Sequence, residues 1–191
     1  IEVAAQCNGE LINFSRIARD VGVDTKTAQS YFQILEDTLL GYTLEPYHRS
    51  VRKRQSQAPK FYLFDGGVCR ALSRTLNVPL NHGTYAFGRA FEHFVVTEAL
   101  RRSDYLKNDF RFSYLRTKDG AEVDLVIERP GQATLLVEIK SADNVDPTDL
   151  RNLKALHRDT PGSEAVCLCR EPLPRVLEDV KILPWQQGLD D

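Results

Sequence analysis

The 191-residue sequence predicts an α/β protein, in which a mixed sheet flanked by helices follows a small helical module. Three observations lead to this prediction. Two runs of alternating apolar residues enclose a turn near Gly131, a long amphipathic stretch over 83–102 precedes them, and helix-like and strand-like segments follow them. A linker over 65–83 divides the chain, and it places a domain boundary between residues 82 and 83.

The N-terminal module begins with two short helical segments joined by a turn. Ser15 and Asp24 are suited to cap the two helices, and Gly22 permits the bend between them. Apolar residues recur at helical spacing in the second helix and are expected to pack inward: Ala28, Phe32, Leu35 and Leu39. The outward face then carries the polar and cationic side chains that a DNA-recognition helix presents to base edges and phosphates: Thr25, Lys26, Gln29, Ser30 and Gln33.

Two predicted strands, over 42–47 and 60–64, follow these helices and form a hairpin. The loop between them holds four cationic residues: Arg49, Arg52, Lys53 and Arg54. Two helices followed by a hairpin with a basic loop are typical of a winged helix, in which the loop contacts phosphates. The combination favours DNA as a partner of residues 1–82. Protein docking is the alternative, because helix-turn-helix shapes also serve that purpose and charged loops are commonly only solvated.

The amphipathic stretch over 83–102 predicts a helix with Phe87, Phe91, Phe94 and Val95 on its apolar side. Glu92 lies at the edge of that apolar side, where an unpaired carboxylate is costly to bury. It can pair with Arg89 one turn earlier or point towards the acids of the hairpin, and Glu98 is a second candidate for that role. The remaining predicted elements are strands over 110–116, 164–169 and 180–183 and a helix over 146–157.

The hairpin around Gly131 brings acidic residues together. Its register places Asp124 opposite Glu138, and a period of two puts Glu122 and Lys140 on the same face as this pair, with Val123 and Leu125 on the other. Two facing carboxylates repel by about 3 kcal/mol at an effective dielectric constant of about 20, so a compensating charge is expected. Lys140 supplies one, and Mg²⁺ or Mn²⁺ would supply two more.

The alternative is a solvated hairpin face with a surface salt bridge. Two apolar residues, Val126 and Leu136, share the face of the acids and indicate partial burial there. We therefore favour a functional site at this face.

Composition narrows the classes of protein further. A net charge of −2 means that a nucleic acid would have to be contacted through local basic patches. The sequence has neither an apolar run of membrane-spanning length nor a cationic segment leading into one, so we predict a cytoplasmic protein without a membrane partner. The four cysteines lack the spacing of a zinc site and are expected to be reduced and mostly buried. The absence of methionine indicates a piece of a longer protein.

Asp124, Glu138 with Lys140, and Glu92 together resemble the PD-(D/E)xK arrangement of the restriction-endonuclease-like fold. Nearly the whole chain is similar to the C-terminal region of a prokaryotic family of AAA-type ATPases, where a winged helix and a nuclease-like domain of unknown function follow the ATPase. The matching stretches are 26–37, 59–65, 88–92, 122–124 and 137–141. Val123 stands where the nuclease signature has proline.

The resemblance implies roles for these residues. Asp124 and Glu138 would be catalytic metal ligands for Mg²⁺ or Mn²⁺, Glu92 an accessory ligand, and Lys140 the residue that positions water or stabilises charge on the phosphate. Residues 83–191 would then be a Mg²⁺-dependent DNA endonuclease. The ATP-binding loop has no counterpart in this sequence, so an ATPase domain would lie outside it as a partner. The alternatives are an inactive nuclease-fold scaffold, which couples DNA or protein binding to the ATPase, and a transcription regulator.

Overall fold

The computed structural model describes residues 1–48 and 58–190. The helices are α1 (Glu2–Gln6), α2 (Phe14–Val21), α3 (Thr25–Asp37), α4 (Gly66–Leu72), α5 (Tyr85–Leu106), a 3₁₀ turn (Pro147–Leu150) that continues into α6 (Arg151–Arg158), and α7 (Trp185–Asp190). The strands are β1 (Gly41–Pro46), β2 (Lys60–Leu63), β3 (Arg111–Arg116), β4 (Glu122–Glu128), β5 (Thr134–Ile139), β6 (Ser163–Cys169), β7 (Arg175–Leu177) and β8 (Val180–Pro184). The predicted α/β class is confirmed.

The described strands form one eight-stranded mixed sheet in the order β2-β1-β3-β4-β5-β6-β8-β7. Strand β1 pairs antiparallel with β2 and parallel with β3, where Glu45 lies beside Ser113 and Pro46 beside Tyr114. The Tyr47 amide extends this contact by donating to the Tyr114 carbonyl at 2.6 Å. The N-terminal hairpin therefore extends the sheet of the C-terminal half. The boundary between residues 82 and 83 stays a prediction about folding units, since one sheet spans both sides of it.

The two N-terminal helices lie where the sequence predicts them, with a different cap on the first. Helix α2 begins at Phe14, so Asn13 is its cap and accepts from the Arg16 amide at 2.9 Å; Ser15, the predicted cap, lies inside the first turn. Gly22 adopts the left-handed conformation at φ 73°, and Asp24 caps α3 as predicted. Because α3 ends at Asp37, Leu39 lies beyond it and is 75% exposed, so its predicted inward position is wrong.

A β-bulge in β4 changes which residues share a face. Ser113 pairs with Val126 and Leu115 with Val123, so two residues of β4, Asp124 and Leu125, stand opposite one residue of β3. The extra residue reverses the alternation. Val123 packs in the same apolar cluster as Val126, whereas strict alternation predicted it on the face of Leu125. That prediction is wrong because a one-residue insertion shifts every side chain before it to the other face.

Helices cover both faces of the sheet. The α6 side buries a cluster that includes Leu136 and Leu153, and the α5 side buries Val95, Leu125 and Val137. Strand β2 is buried on both faces, because Phe61 and Leu63 pack with the N-terminal helices while Tyr62 packs under α5. These contacts fix the first half of α5 beside the ends of β4 and β5.

Two remaining observations concern the cysteines and the apolar character of the helices. The four cysteines are free thiols, and Cys69, Cys167 and Cys169 are buried, as the sequence predicts. Burial raises the pKa of the Cys167 thiol. Among the described helices, none combines the length and the apolar composition required to cross a bilayer.

Candidate functional site

Glu92 and the predicted hairpin residues line one cleft. Asp124, Glu138 and Lys140 reach it from the ends of β4 and β5, and Glu92 reaches it from α5; the cleft has a volume of about 260 Å³. The register of the hairpin is the predicted one, because Leu125 pairs with Val137 and the next position places Asp124 opposite Glu138. The structure therefore brings the predicted side chains of Glu92, Asp124, Glu138 and Lys140 into the same cleft.

Asp124 is partly buried at the inner wall of this cleft. Its Oδ2 accepts a hydrogen bond from the Ile139 amide at 2.7 Å. Burial, followed by the nearby carboxylates of Glu138 and Glu92, raises the pKa of Asp124 well above its usual range. The ionised form therefore needs a further positive charge close by.

Glu138 and Lys140 form an ion pair inside the cleft. Lys140 Nζ lies 2.7 Å from Glu138 Oε1, and Glu138 is 7% exposed. The other oxygen of this carboxylate, Oε2, is buried and has no hydrogen-bond partner in the described part of the chain. Burial raises the pKa of Glu138, and Lys140 only partly opposes it. Burial lowers the pKa of Lys140, but Glu138 more than reverses the effect, so the ammonium group stays charged.

Glu92 is held by residues of β2. Its Oε1 accepts from the Tyr62 hydroxyl at 2.8 Å and lies 3.8 Å from Lys60 Nζ. Arg89 instead pairs with Glu10 at 2.9 Å, which corrects the alternative in which Arg89 pairs with Glu92. Glu98, the second candidate acid, pairs with Arg101 at 2.6 Å and does not line the cleft.

A second cleft of about 440 Å³ adjoins the first and shares Tyr85, Arg89 and Glu92 with it. We call the two clefts together the carboxylate groove. Lys60 and Glu122 form an ion pair in the second cleft, and Lys60 is only 4% exposed. Burial lowers the pKa of Lys60, but Glu92 and Glu122 more than offset this, so its pKa is raised. Sequence reasoning missed Lys60 as a site residue; the available signal was a lysine that opens an otherwise apolar strand.

The cleft fits a hard divalent cation held by two carboxylates. Mg²⁺ is usually bound by one or two carboxylates together with water, and Asp124 and Glu138 supply such a pair. The unpartnered Oε2 of Glu138 is an oxygen ready to accept a cation. Over residues 1–48 and 58–190, no three His, Cys, Asp or Glu side chains form a ready-made ligand group. Glu92 as an accessory ligand therefore stays a prediction.

The predicted DNA-binding residues lie partly in the described chain. Lys26, Gln29, Ser30 and Gln33 are all exposed on α3, where Gln33 donates to Asp37 at 2.9 Å. Four further residues lie outside the described residues: Arg49, Arg52, Lys53 and Arg54. DNA contact by either group stays a prediction.

Comparison with known proteins gives two similar curated relatives. The chain is 30% identical over 130 residues to "Uncharacterized protein Mb2031c" of Mycobacterium bovis and to "Uncharacterized protein Rv2008c" of Mycobacterium tuberculosis. Each match covers 67% of this chain, and the chain spans only 28% of the length of these relatives. A solved structure, the refined half-complex from the tetradecameric assembly of Thermococcus gammatolerans McrB AAA+ hexamers with bound McrC, overlaps at a TM-score of 0.38 and 10% identity. The overlap covers 81% of this chain and 59% of the solved chain.

Two family models match the chain. The model "Domain of unknown function (DUF8612)" matches residues 1–78. The model "Domain of unknown function (DUF4143)" matches residues 87–187, which is more than half of the chain and includes every acid of the carboxylate groove except Glu10. The chain therefore belongs to the family defined by the DUF4143 domain of unknown function.

Proposed function

We propose that this protein cleaves phosphodiester bonds in DNA at the carboxylate groove, with Mg²⁺ or Mn²⁺ as cofactor. One observation carries the proposal: Asp124 and Glu138 lie opposite each other on the neighbouring strands β4 and β5, with Lys140 in the same cleft. These groups suit metal-assisted hydrolysis of a phosphodiester, because they combine hard oxygen ligands for a cation with a fixed positive charge for the phosphate.

Each side chain has a distinct proposed role. Asp124 and Glu138 would hold the cation, which, when bound, supplies positive charge at the phosphate and lowers the pKa of water. Lys140 keeps its proton because Glu138 lies 2.7 Å away, so it would stabilise negative charge on the phosphate rather than act as a base. Glu92, which Tyr62 orients at 2.8 Å, would be the accessory ligand.

The N-terminal module would bring DNA to this site. The exposed polar face of α3, with Lys26, Gln29, Ser30 and Gln33, would contact bases and phosphates, and the basic segment 49–54 would contact phosphates. An ATPase domain is the proposed partner elsewhere in the protein. The resemblance to AAA-type ATPases supports this partner, as does the length of the two mycobacterial relatives, of which the chain spans 28%.

A nuclease-fold scaffold without activity is the second candidate, and a specific observation favours it. Several acids of the groove already have partners from the chain itself, since Lys140 pairs with Glu138 and Lys60 with Glu122. An acidic cluster that is neutralised internally does not require a cation. In this case the groove would stabilise the contact between the N-terminal module and the sheet, and DNA or protein binding would be coupled to the ATPase without cleavage.

Calorimetric titration with Mn²⁺ and a plasmid-nicking assay separate the two candidates. For the nuclease, we expect the protein to bind Mn²⁺ and to nick supercoiled plasmid. Glu138→Gln should abolish both, whereas Lys140→Gln should keep Mn²⁺ binding and lose nicking by at least about 100-fold. Lys154→Gln is the matched control, because Lys154 is also buried and paired with a glutamate, Glu178, but lies outside the groove. Absence of Mn²⁺ binding would contradict the nuclease and leave the scaffold.

A further inference from the structure

We propose that Lys60 is the resident cation of the carboxylate groove: the N-terminal module inserts an ammonium group between Glu92 and Glu122, and this group keeps dissolved cations out of that half of the groove. Within the described residues of the groove, the position left for a cation from solution is then the pair Asp124 and Glu138. This last point rests on the function proposed above, whereas the role of Lys60 does not.

The burial of Lys60 is the first observation. Lysine is among the residues that are rarely buried, because its ammonium group loses hydration. Here the three residues that follow Lys60 in β2, namely Phe61, Tyr62 and Leu63, are fully buried and fix the backbone of the strand. The ammonium group is therefore held in the groove by the packing of a strand from the other half of the chain.

The contacts of the ammonium group are the second observation. Nζ forms an ion pair with Glu122 from β4 and lies 3.8 Å from Glu92 Oε1 from α5. It also lies 5.5 Å from the centre of the Tyr114 ring, within the range of a cation–π interaction. Three elements of the C-terminal half therefore surround a cation supplied by the N-terminal half.

The two halves of the groove differ in how their charges are balanced. Around Lys60, Glu92 Oε1 already accepts from the Tyr62 hydroxyl, and Arg116 lies 3.4 Å from the second oxygen of Glu122. At the other end, Lys140 pairs with Glu138 beside Asp124, and Glu138 Oε2 has no partner among the described residues. A dissolved divalent cation is repelled by Lys60 and attracted to the end with surplus negative charge. The N-terminal module thus selects where a cation binds.

The test is calorimetric titration of the whole chain with Mn²⁺, before and after the change Lys60→Met. Methionine keeps most of the length of the lysine side chain and removes its charge. We expect Lys60→Met to bind Mn²⁺ about ten-fold more tightly than the wild type, or to bind one additional Mn²⁺, since two carboxylates lose their resident cation. Lys154→Met is the matched control: Lys154 is 8% exposed and lies 3.0 Å from Glu178, outside the groove, so its loss should leave Mn²⁺ binding unchanged.

If circular dichroism shows that Lys60→Met does not fold, a second variant tests the role of Lys60. Glu122 is more exposed than Lys60, and Glu122→Gln removes the nearest carboxylate while Lys60 keeps its charge. We expect this variant to bind Mn²⁺ several-fold more weakly, because the groove loses one negative charge and the ammonium group of Lys60 is then balanced by Glu92 alone among the groove acids it contacts. A purely structural Lys60 would leave Mn²⁺ binding by Glu122→Gln unchanged, and that result would overturn the proposal.

The outcomes separate this inference from the proposed function. Binding of Mn²⁺ by Lys60→Met but not by the wild type would support the resident cation and contradict the metal-dependent nuclease. Equal binding by the wild type and Lys60→Met would overturn the resident cation and leave the nuclease standing. Absence of binding by both would overturn both.

Discussion

At the scale of single residues, the state of Asp124 depends on a balance of opposing influences. Burial and the charges of Glu138 and Glu92 raise its pKa, and the hydrogen bond from the Ile139 amide acts in the opposite direction without reversing the shift. Between its pKa in the unfolded chain and its higher pKa in the folded one, the folded protein binds more protons. The stability that Asp124 contributes is therefore complete at low pH and is lost as the pH rises through the folded value.

This balance predicts the effect of Asp124→Asn. The asparagine oxygen can still accept from the Ile139 amide, but the side chain cannot ionise. In metal-free buffer we expect the variant to be more stable than the wild type at about pH 8, and the advantage to shrink towards about pH 4. Urea unfolding across this pH range is the measurement. Asp146→Asn, at an exposed helix cap where hydrogen bonds with Thr148 lower the pKa, should show the opposite dependence. A constant difference at every pH would contradict the prediction.

At the scale of elements, the hairpin of β1 and β2 connects the N-terminal helices to the sheet. Gly41 pairs with Leu63 across this hairpin, and the ring of Phe61 lies over Gly41. Phe61 also packs edge-on against Phe32 of α3, with ring centres 5.0 Å apart. A single close approach of strand backbone and aromatic ring therefore helps to fix both the hairpin and α3.

The close approach predicts that Gly41→Ala is destabilising. A Cβ at this position would lie 2.1 Å from the Phe61 ring, and Phe61 is fully buried, so the ring has no free space to move into. We expect a loss of about 1–3 kcal/mol in the free energy of unfolding. Gly88→Ala is the control, since its Cβ meets Ser141 at 3.6 Å and alanine is favourable inside a helix. Chemical denaturation compares the two, and equal stability of the two variants would refute the argument.

At the scale of the whole molecule, the two halves of the chain share a sheet and a charged cluster. Strand β1 pairs with β3, and β2 supplies Lys60 and Tyr62 to the acids of the groove. Separation of the halves would leave Glu92 and Glu122 without these partners and would expose one edge of β3. This arrangement favours unfolding of the two halves as one cooperative unit.

This arrangement predicts that residues 83–191 alone are less stable than the whole chain. We expect the isolated segment to unfold at a lower urea concentration and in a less cooperative transition. Circular dichroism during urea titration measures both quantities. An unchanged midpoint for residues 83–191 would instead establish the boundary between residues 82 and 83 as one between independent domains.

The proposed DNA binding would also involve the whole molecule, because α3 and the groove lie in different halves. Lys26→Ala should weaken binding to a short duplex for every sequence and reduce the slope of log affinity against log salt by about 1. Fluorescence anisotropy at several salt concentrations measures the slope. Lys118→Ala removes an exposed lysine from the turn between β3 and β4, and it should leave the slope unchanged. Equal slopes for both variants would show that Lys26 makes no phosphate contact.

The sequence by itself determined the features that depend on near neighbours. The hairpin register that opposes Asp124 and Glu138 follows from alternation around a turn, and the bend at Gly22 and the cap at Asp24 follow from residue types within one turn of helix. A helix boundary that differed by two residues was enough to replace Ser15 by Asn13 as a cap.

Tertiary structure alone decided the features that depend on distant segments. The bulge at Asp124 exists only in relation to the partner strand β3, so alternation within β4 could not reveal it. The pairing of β1 with β3 joins residues more than sixty positions apart, and the ion pair between Lys60 and Glu122 spans a similar separation. Local patterns contain no information on which segments meet across such distances. Asp124, Glu138 and Lys140 could therefore be predicted from the hairpin, whereas the position of Lys60 beside Glu92 and Glu122 could not.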